Sequence, residues 1–560
     1  MTQQEQHLAV SVDDLLSGIP FADRMPVRLF ERLAASDAIA AIDAESGRPY
    51  TYAQLAVGGR RVAHALASRG VGTGDRVAWS APTGVDAIAI WMGIAQIGAV
   101  DIAIGDVLKG RMLDHVLDDC EPKAIVSHAH AQQGISGLPA DRCGRYQAWL
   151  HIGGDDANEA GPDGQVRLDL WRGGDGDELH ELASARPEEP STIVYTSGTT
   201  GPSKGVVLCH HHMFFAGANM AEQSRIWRGS RLYHYSPFNH VSGRQLVIAS
   251  MLVGGTLVMR ERFRLDRFWA DINAHEVTHA VTLGSAVPLL LDQQGPEIIN
   301  AGSLRYVWAS PAMPKIYGEF AERFDVCVCS PYGSSEVGIV VSPALIPDDP
   351  GPPGNCGRGS TYYDLQILDD NDQVVPPGKV GEIAIRPRRP WTTFLGYLNR
   401  DTTTVETTRN LWYHSGDLGT MDEEGYLFFV DRKQDFMRVK GENISSSELE
   451  QILVLHPLVA DCAVVPVDAE LGESDVLAVV VPSLNGAGDF DPERFFTWCA
   501  EEVPHYMVPR YIRVVDDMPR GHSGKIEKHK LRSDGAADGT WDASAHGLRA
   551  TRRGVTRRPR

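Results

Sequence analysis

The chain has 560 residues, of which 43% are hydrophobic, 22% charged and 8% aromatic, a globular composition long enough for a sizeable core and at least two domains. Lys and Arg total 53 against 73 Asp and Glu, a formal charge of -20, so the mean field repels nucleic acid and anionic lipid, and a polyanion has to be met by a local site. Only ten residues are lysines, which makes each lysine inside a motif informative.

The first 18 residues carry acids and glutamines where a secretory leader places a basic and then an apolar run, so a cytoplasmic location is expected. Residues 88–100 are the most apolar stretch, but Gln96 interrupts them and they fall short of the roughly 20 residues that cross a bilayer. A buried helix is the better reading, with no membrane span. Short apolar segments at 76–80, 124–127, 257–259 and 279–283 alternate with helix-like stretches at 52–69 and 112–119, which predicts an α/β protein with largely buried sheets. Residues 153–190, rich in Gly, Asp, Glu and Pro, read as an exposed connection. After Asp431 the pattern becomes a compact segment with helices at 446–455 and 492–502 and strands near 462–467 and 476–481. The expected division is 1–431, 432–532 and an arginine-rich tail, 533–560, whose lack of apolar periodicity predicts disorder. Eight cysteines without paired CxxC spacing argue against a disulfide framework or a zinc site.

Residues 195–206 read YTSGTTGPSKGV. Glycines at 198, 201 and 205 let the backbone approach a polyphosphate, Thr196, Ser197, Thr199, Thr200 and Ser203 supply hydroxyls, and Lys204 supplies charge. A flexible Gly/Ser loop would need neither the hydroxyls nor the lysine. The spacing does not fit GxxxxGK[ST], so the Walker mechanism does not carry over.

This loop resembles the signature of the adenylate-forming superfamily, which includes acyl-CoA synthetases, aryl-CoA ligases, firefly luciferase and nonribosomal-peptide adenylation domains. Further segments resemble that family's motifs in its own order: PFNHVSG at 237–243, YGSSEVG at 332–338, GEIAIR at 381–386, YHSGD at 413–417, DRKQDFMRVKGENISSSELE at 431–450 and PRGHSGKI at 519–526. Residues 97–119 most resemble ligases of the crotonobetaine and carnitine type. The resemblance implies a large N-terminal domain of two α/β sheet subdomains and a small β-barrel-like subdomain, with a small mobile α+β lid. It also implies ATP, Mg²⁺ and CoA as participants. A carboxylate would attack the α-phosphate of ATP, and a thiol would then attack the mixed anhydride, so positioning and charge neutralisation dominate.

Residue roles follow from the resemblance. Thr196, Ser197, Gly198, Thr199, Thr200, Gly201 and Lys204 would hold the departing phosphates, and Glu336 with Thr196 would bind Mg²⁺. Ser310, Pro311 and Ala312 form the turn beside adenine, and Tyr332, with Gly333, Ser334 and Ser335, would stack on it; a core tyrosine is the plain alternative. Asp417 would accept the ribose hydroxyls and Arg432 donate to ribose or phosphate, against a salt bridge between the two. Lys525 would reach the carboxylate and α-phosphate as the bond forms. Rotation about a hinge at Gln434 would then bring Lys440, Gly441 and Glu442 to the thiol. His240 would gate the acyl pocket, lined by Leu283, Trp308, Val337, Val281 and Val287; Arg244 would meet a second polar group of the acid or lie solvated. The run Cys209, His210, His211, His212 falls where a helix starts, and adjacent helical residues do not share a face, so it is not a metal site.

Three positions depart from the family pattern: the turn reads SPAMP, the hinge is Gln434, and Gly521 stands where Thr is common. They leave room for an enzyme better at the thioester half than at adenylation. No acid occurs in 237–250 to pair with an amino acid's ammonium, and no carrier-protein serine motif follows. The expectation is a free-standing acid:CoA ligase, monomer or homodimer, for a hydrophobic or aromatic acid. The alternatives are a one-half-reaction enzyme, one that hands its adenylate to a carrier protein or another nucleophile, and a silent nucleotide-binding homologue.

Overall fold

The computed structural model describes residues 10–105, 108, 110–130, 135, 138, 145–153, 166–171, 183–196, 203–284, 286–293, 302–310, 314–343, 351–433, 437–439, 442–468, 474–483, 490–520, 526–537, 539–551 and 554–557. The expected positions Ser197, Gly198, Thr199, Thr200, Gly201, Pro311, Ala312, Gln434, Lys440, Gly441 and Lys525 lie outside these, as do the side chain of Glu442 and most of 153–190.

Two large mixed sheets carry the N-terminal part. The first runs Gly396–Tyr397, Lys204–Cys209, Pro190–Thr196, Val100–Ala103, Arg76–Trp79, Ala124–His128, Ala148–Ile152, Val166–Leu168. It is parallel from Pro190–Thr196 onward and antiparallel at the other edge. The second runs Cys327–Cys329, Tyr306–Ser310, His279–Leu283, Arg231–His234, Thr256–Met259, Ile39–Asp43, Pro49–Thr51, antiparallel only at the last pair. The expected small β subdomain is a four-stranded antiparallel sheet, Tyr363–Leu368, Gly381–Pro387, Tyr413–Met421 and Leu427–Arg432.

Apolar residues on every side make the helix Val85–Gln96 a core element rather than a surface one, and its side chains are buried apart from the partly covered Asp86. It packs on the helix Tyr52–Ala67 so closely that a Cβ at Gly93 would lie 2.5 Å from the Gly59 carbonyl oxygen, a separation that only glycine permits. The apolar stretch 88–100 therefore divides into helix, a turn at Gly98 (φ +69) and the strand Val100–Ala103.

Beyond Arg432 a separate apolar core forms, with Leu449, Leu453, Val464, Val480, Phe495, Phe496 and Cys499 fully or almost fully buried. Its helix Pro492–Glu502 starts where proline at the first turn and the Asp491 carboxylate, accepting from the Glu493 amide, satisfy the end of the backbone. The described part of 533–560 departs from the expectation of a disordered tail. Trp541–Asp542 pairs with Tyr511–Val514, Leu548 and Ala543 are buried in this core, and Leu548–Thr551 forms a hairpin with Gly554–Arg557. Single anchors such as Trp541 and Leu548 bury apolar area without any periodic pattern.

Candidate active site

The hairpin of Pro190–Thr196 and Lys204–Cys209 pairs Thr196 with Lys204 across its tip, at the two ends of the glycine-rich loop. The edge strand Gly396–Tyr397 lies beside Val206 and Val207. This places the Tyr397 ring 4.8 Å from the Lys204 Nζ, within cation–π range. The Tyr397 hydroxyl donates to Glu336 Oε1 at 2.8 Å, while the Phe394 amide donates to the Glu336 carbonyl at 2.7 Å. Glu336 is 8% exposed and its second carboxylate oxygen has no hydrogen-bond partner among the described residues. A buried carboxylate with one oxygen fixed by Tyr397 suits a hard cation such as Mg²⁺. Thr196, half-buried, stands at the same end of the hairpin as Lys204.

A second chain of contacts runs through the β subdomain. Tyr332 is buried, its hydroxyl donates to Asp417 Oδ2 at 2.8 Å, and its ring stacks on Phe429 with centroids 6.4 Å apart. Burial first, and the Asp417 charge second, push the Tyr332 phenol well up, so it remains a donor. Asp417 and Arg432 face each other in register, with Arg432 Nε 2.8 Å from Asp417 Oδ1. Both plain alternatives are therefore real contacts here: the core tyrosine and the salt bridge are part of the arrangement. Glu382 of the GEIAIR strand accepts from the Gly416 amide at 3.1 Å and shapes the turn before Asp417. Ser334 Oγ lies 3.3 Å from the Tyr413 hydroxyl. Gly333 is required by its own hairpin, because a Cβ there would sit 2.1 Å from the Gly338 carbonyl oxygen. Ser335 is half-buried beside Glu336 in sequence.

On the expected acyl side, Leu283 is the register partner of Ser310, and Val281 that of Trp308. Leu283 is 45% exposed, whereas Trp308 and Val337 are buried, and Ser310 Oγ is tied to Ser330 Oγ at 3.1 Å. Val287 is buried in the neighbouring core with Tyr233 and Leu290. His240, half-buried, is the residue from which the helix Val241–Val253 starts.

Arg244 corrects its expectation. It is 0% exposed, with Nη2 2.8 Å from Asp101 Oδ1 on the strand Val100–Ala103, a contact to the Thr192 hydroxyl and its guanidinium 5.7 Å from the Trp91 ring. Its guanidinium is engaged inside the protein, so it is not solvated. Trp79 and Thr192 also donate to Asp101, and a guanidinium stays protonated even when burial lowers its pKa. The pair ties the helix after His240 to the strand Val100–Ala103, and Thr192 joins it from the strand that leads into the phosphate loop.

The histidine run opens the helix His210–Gln223, as expected. Cys209 Sγ accepts from the His212 amide at 3.3 Å, all three histidines are buried, and burial pushes each pKa down to about 4. Among the described residues no group of three His, Cys, Asp or Glu could hold a metal ion.

Sequence reasoning missed Tyr397, Glu382 and the Asp101–Arg244 pair. Tyr397 sits in GYLNR, where a Gly-Tyr pair carries no chemical signature of its own.

Comparison with known proteins agrees with this geometry. Residues 30–398 match the AMP-binding enzyme family, and residues 448–525 match the AMP-binding enzyme C-terminal domain. A crotonobetaine/carnitine–CoA ligase of Salmonella arizonae is 29% identical over 489 residues, 86% of this chain and 93% of that protein. ATP-bound MatB from Rhodopseudomonas palustris is similar in structure with a TM-score of 0.78 at 25% identity, covering 93% of this chain and 99% of that one. The amide bond synthetase McbA from Marinactinospora thermotolerans gives 0.74 at 25% identity, covering 91% and 99%. The chain belongs to the AMP-binding enzyme family, the adenylate-forming group that its motifs resemble, and CoA ligases are among its relatives.

Proposed function

We propose that this chain is an AMP-forming acid:CoA ligase that joins a hydrophobic or aromatic carboxylic acid first to AMP and then to CoA. The observation that carries the reading is the meeting of Lys204, Tyr397 and Glu336 beside the ends of the glycine-rich loop, together with Tyr332, from its own two-stranded hairpin, bonded to the Asp417–Arg432 pair of the four-stranded sheet. Lys204 and the loop hydroxyls take the β- and γ-phosphates of ATP. Asp417, a carboxylate with lone pairs beyond those used by Tyr332 and Arg432, accepts from the ribose hydroxyls, and Arg432 lies next to them. Tyr332, with Ser310 at the adjoining turn, stands at the adenine end. Glu336 and Thr196 would hold Mg²⁺, which when bound would supply charge neutralisation on the phosphate oxygens.

In the first half-reaction the acid's carboxylate oxygen attacks the α-phosphorus, the bond to the β-phosphate oxygen breaks, and pyrophosphate leaves. Lys525 offsets the charge gathering on the carboxylate and α-phosphate. In the second, the CoA thiolate attacks the acyl carbon and AMP leaves. The segment with Lys440, Gly441 and Glu442 faces the thiol after the lid turns at Gln434. The exposed Leu283 and the buried Trp308 and Val337, with His240 as the gate, favour an apolar acyl group. The likeness to an amide bond synthetase favours one second reading, transfer of the acyl group from the adenylate to an amine.

The test is mass spectrometry of reactions with ATP, Mg²⁺, CoA and a panel of aliphatic, aromatic and polycyclic acids, repeated with amines in place of CoA. Acyl-CoA and AMP in equal amounts from one acid class meet the proposal. Amides with AMP and no thioester replace it with the second reading, and no product from any acid, or from added acyl-adenylates, removes both.

A further inference from the structure

We propose that Tyr397 is a positioning residue of this ligase: its hydroxyl fixes the carboxylate that meets the metal, and its ring seats the phosphate-loop lysine. The inference deepens the function proposed above and rests on it. Two motifs far apart in sequence, the phosphate loop and YGSSEVG, meet on this one side chain. Its backbone belongs to the first large sheet, anchored by the pairings of Gly396 with Val207 and Tyr397 with Val206, and by the Leu398 amide donating to the Gly205 carbonyl at 2.8 Å. Its own amide donates to the Thr404 hydroxyl at 2.9 Å, so the residue is held before any ligand arrives. The ring packs edge-on against Phe394 with centroids 5.1 Å apart, is 7% exposed and has little room to turn.

On one face the ring carries the Lys204 ammonium at 4.8 Å. At its tip the hydroxyl donates to Glu336 Oε1 at 2.8 Å, leaving the other oxygen of Glu336 without a partner among the described residues. A carboxylate with one oxygen fixed presents the second in a set direction, which is how an outer partner raises the affinity of a metal ligand. The phenol does this as a neutral donor, because burial, followed by the charge of Glu336, pushes its pKa up. The cation–π contact gives the flexible four-carbon stem of Lys204 a preferred position without consuming any of the ammonium's three donors. Those donors remain for phosphate. Tyr397 thus couples two charges of opposite sign that the same triphosphate has to meet, and sets their separation.

Two variants separate the two parts of the inference. Tyr397→Phe keeps the ring and removes the hydroxyl; Tyr397→Leu removes both. Binding of ATP is measured by calorimetry in EDTA and then across a Mg²⁺ titration, with Glu336→Gln setting the floor for metal dependence. For Tyr397→Phe, affinity in EDTA stays within about twofold of wild type, while the Mg²⁺ concentration that gives half of the metal-dependent gain rises on the order of 10- to 100-fold, the usual cost of losing an outer partner of a metal ligand. For Tyr397→Leu, affinity in EDTA falls as well. A Tyr397→Phe titration that overlays the wild type overturns the proposal, and so does a Tyr397→Phe loss in EDTA equal to that of Tyr397→Leu, since the two parts are then not separable. Wild-type protein that binds no ATP removes the ligase reading and this inference together, and it does so without reference to any variant.

Discussion

Replacing Arg244 with Met removes the cation paired with Asp101 among the described residues while keeping an unbranched, flexible apolar stem in the same helix. Asp101 is 1% exposed, and its carboxylate keeps the Trp79 indole at 3.0 Å and the Thr192 hydroxyl as donors. Breaking one side of a buried ion pair costs on the order of 3–5 kcal/mol, because a charge remains without its counterion. The two neutral donors place this case at about 3 kcal/mol rather than the upper end. Burial already pushes the Asp101 carboxyl up, and Arg244 is the main group opposing it, so in the variant Asp101 takes up a proton more readily. A carboxyl whose folded pKa lies above its unfolded value favours the folded state in acid, and that advantage is lost as pH rises from the unfolded to the folded pKa. The gap between variant and wild type should therefore narrow as pH falls towards about 4, the unfolded carboxylate value. Urea unfolding of wild type, Arg244→Met, Asp101→Asn and the double variant at several pH values measures this, with the double variant recovering part of the loss as a double-mutant cycle requires. A loss below about 1 kcal/mol for Arg244→Met, within the range of an ordinary exposed ion pair, would refute the reasoning. So would an acid-specific change in KM with stability untouched, which would return Arg244 to the substrate.

Acid should destabilise the N-terminal part early. His210, His211, His212 and His234 are buried, with pKa values pushed down to about 4, while unfolded histidine titrates near about 6.5. Their contribution is present above that value and is lost as pH falls from it towards 4, by up to about 3 kcal/mol per histidine. A melting temperature that stays flat between pH 6.5 and 5 in the wild type would count against their burial as neutral rings. Asp431→Ala should loosen the junction, because Asp431 Oδ2 accepts from the Ser446 amide at 2.6 Å, the Ser446 hydroxyl at 2.8 Å and the Ser447 amide at 3.2 Å at the start of the helix Ser446–Leu453. Loss of such a cap costs about 0.5–2 kcal/mol, read as faster amide exchange confined to that helix; unchanged exchange would deny Asp431 the capping role. Lys525→Ala should abolish acid-dependent AMP release while ATP still binds, and equal loss of thioester formation from added acyl-adenylate would deny its place in the first half-reaction.

The chemistry-bearing motifs were legible because each states its need locally: hydroxyls and glycines around a lysine for phosphate, a carboxylate in a Gly-rich turn, an acid closing YHSGD. What stayed hidden is pairing at a distance. Asp101 and Arg244 are 143 residues apart, and each is the lone charge in a mostly apolar window, IGAVDIAI and VSGRQLVI. Unmatched charges are too costly to bury singly, so two such windows of opposite sign were a readable hint of one another, stronger than the solvated alternative assigned to Arg244. Tyr397 offered no such hint, since a phenol is at home in any core, and only the meeting of the edge strand with the Glu336 turn reveals it. The tail shows the same limit: a missing apolar period over 533–560 is silent about single anchors such as Trp541 and Leu548, which pack on the core beyond Arg432. Apolar anchors act through the area they bury and need no repeat. The same distinction governs the site as a whole. Groups that touch a ligand must match its chemistry and so are visible one by one, while groups that hold them in place need only fit their neighbours, and their identity becomes legible when the neighbours are known.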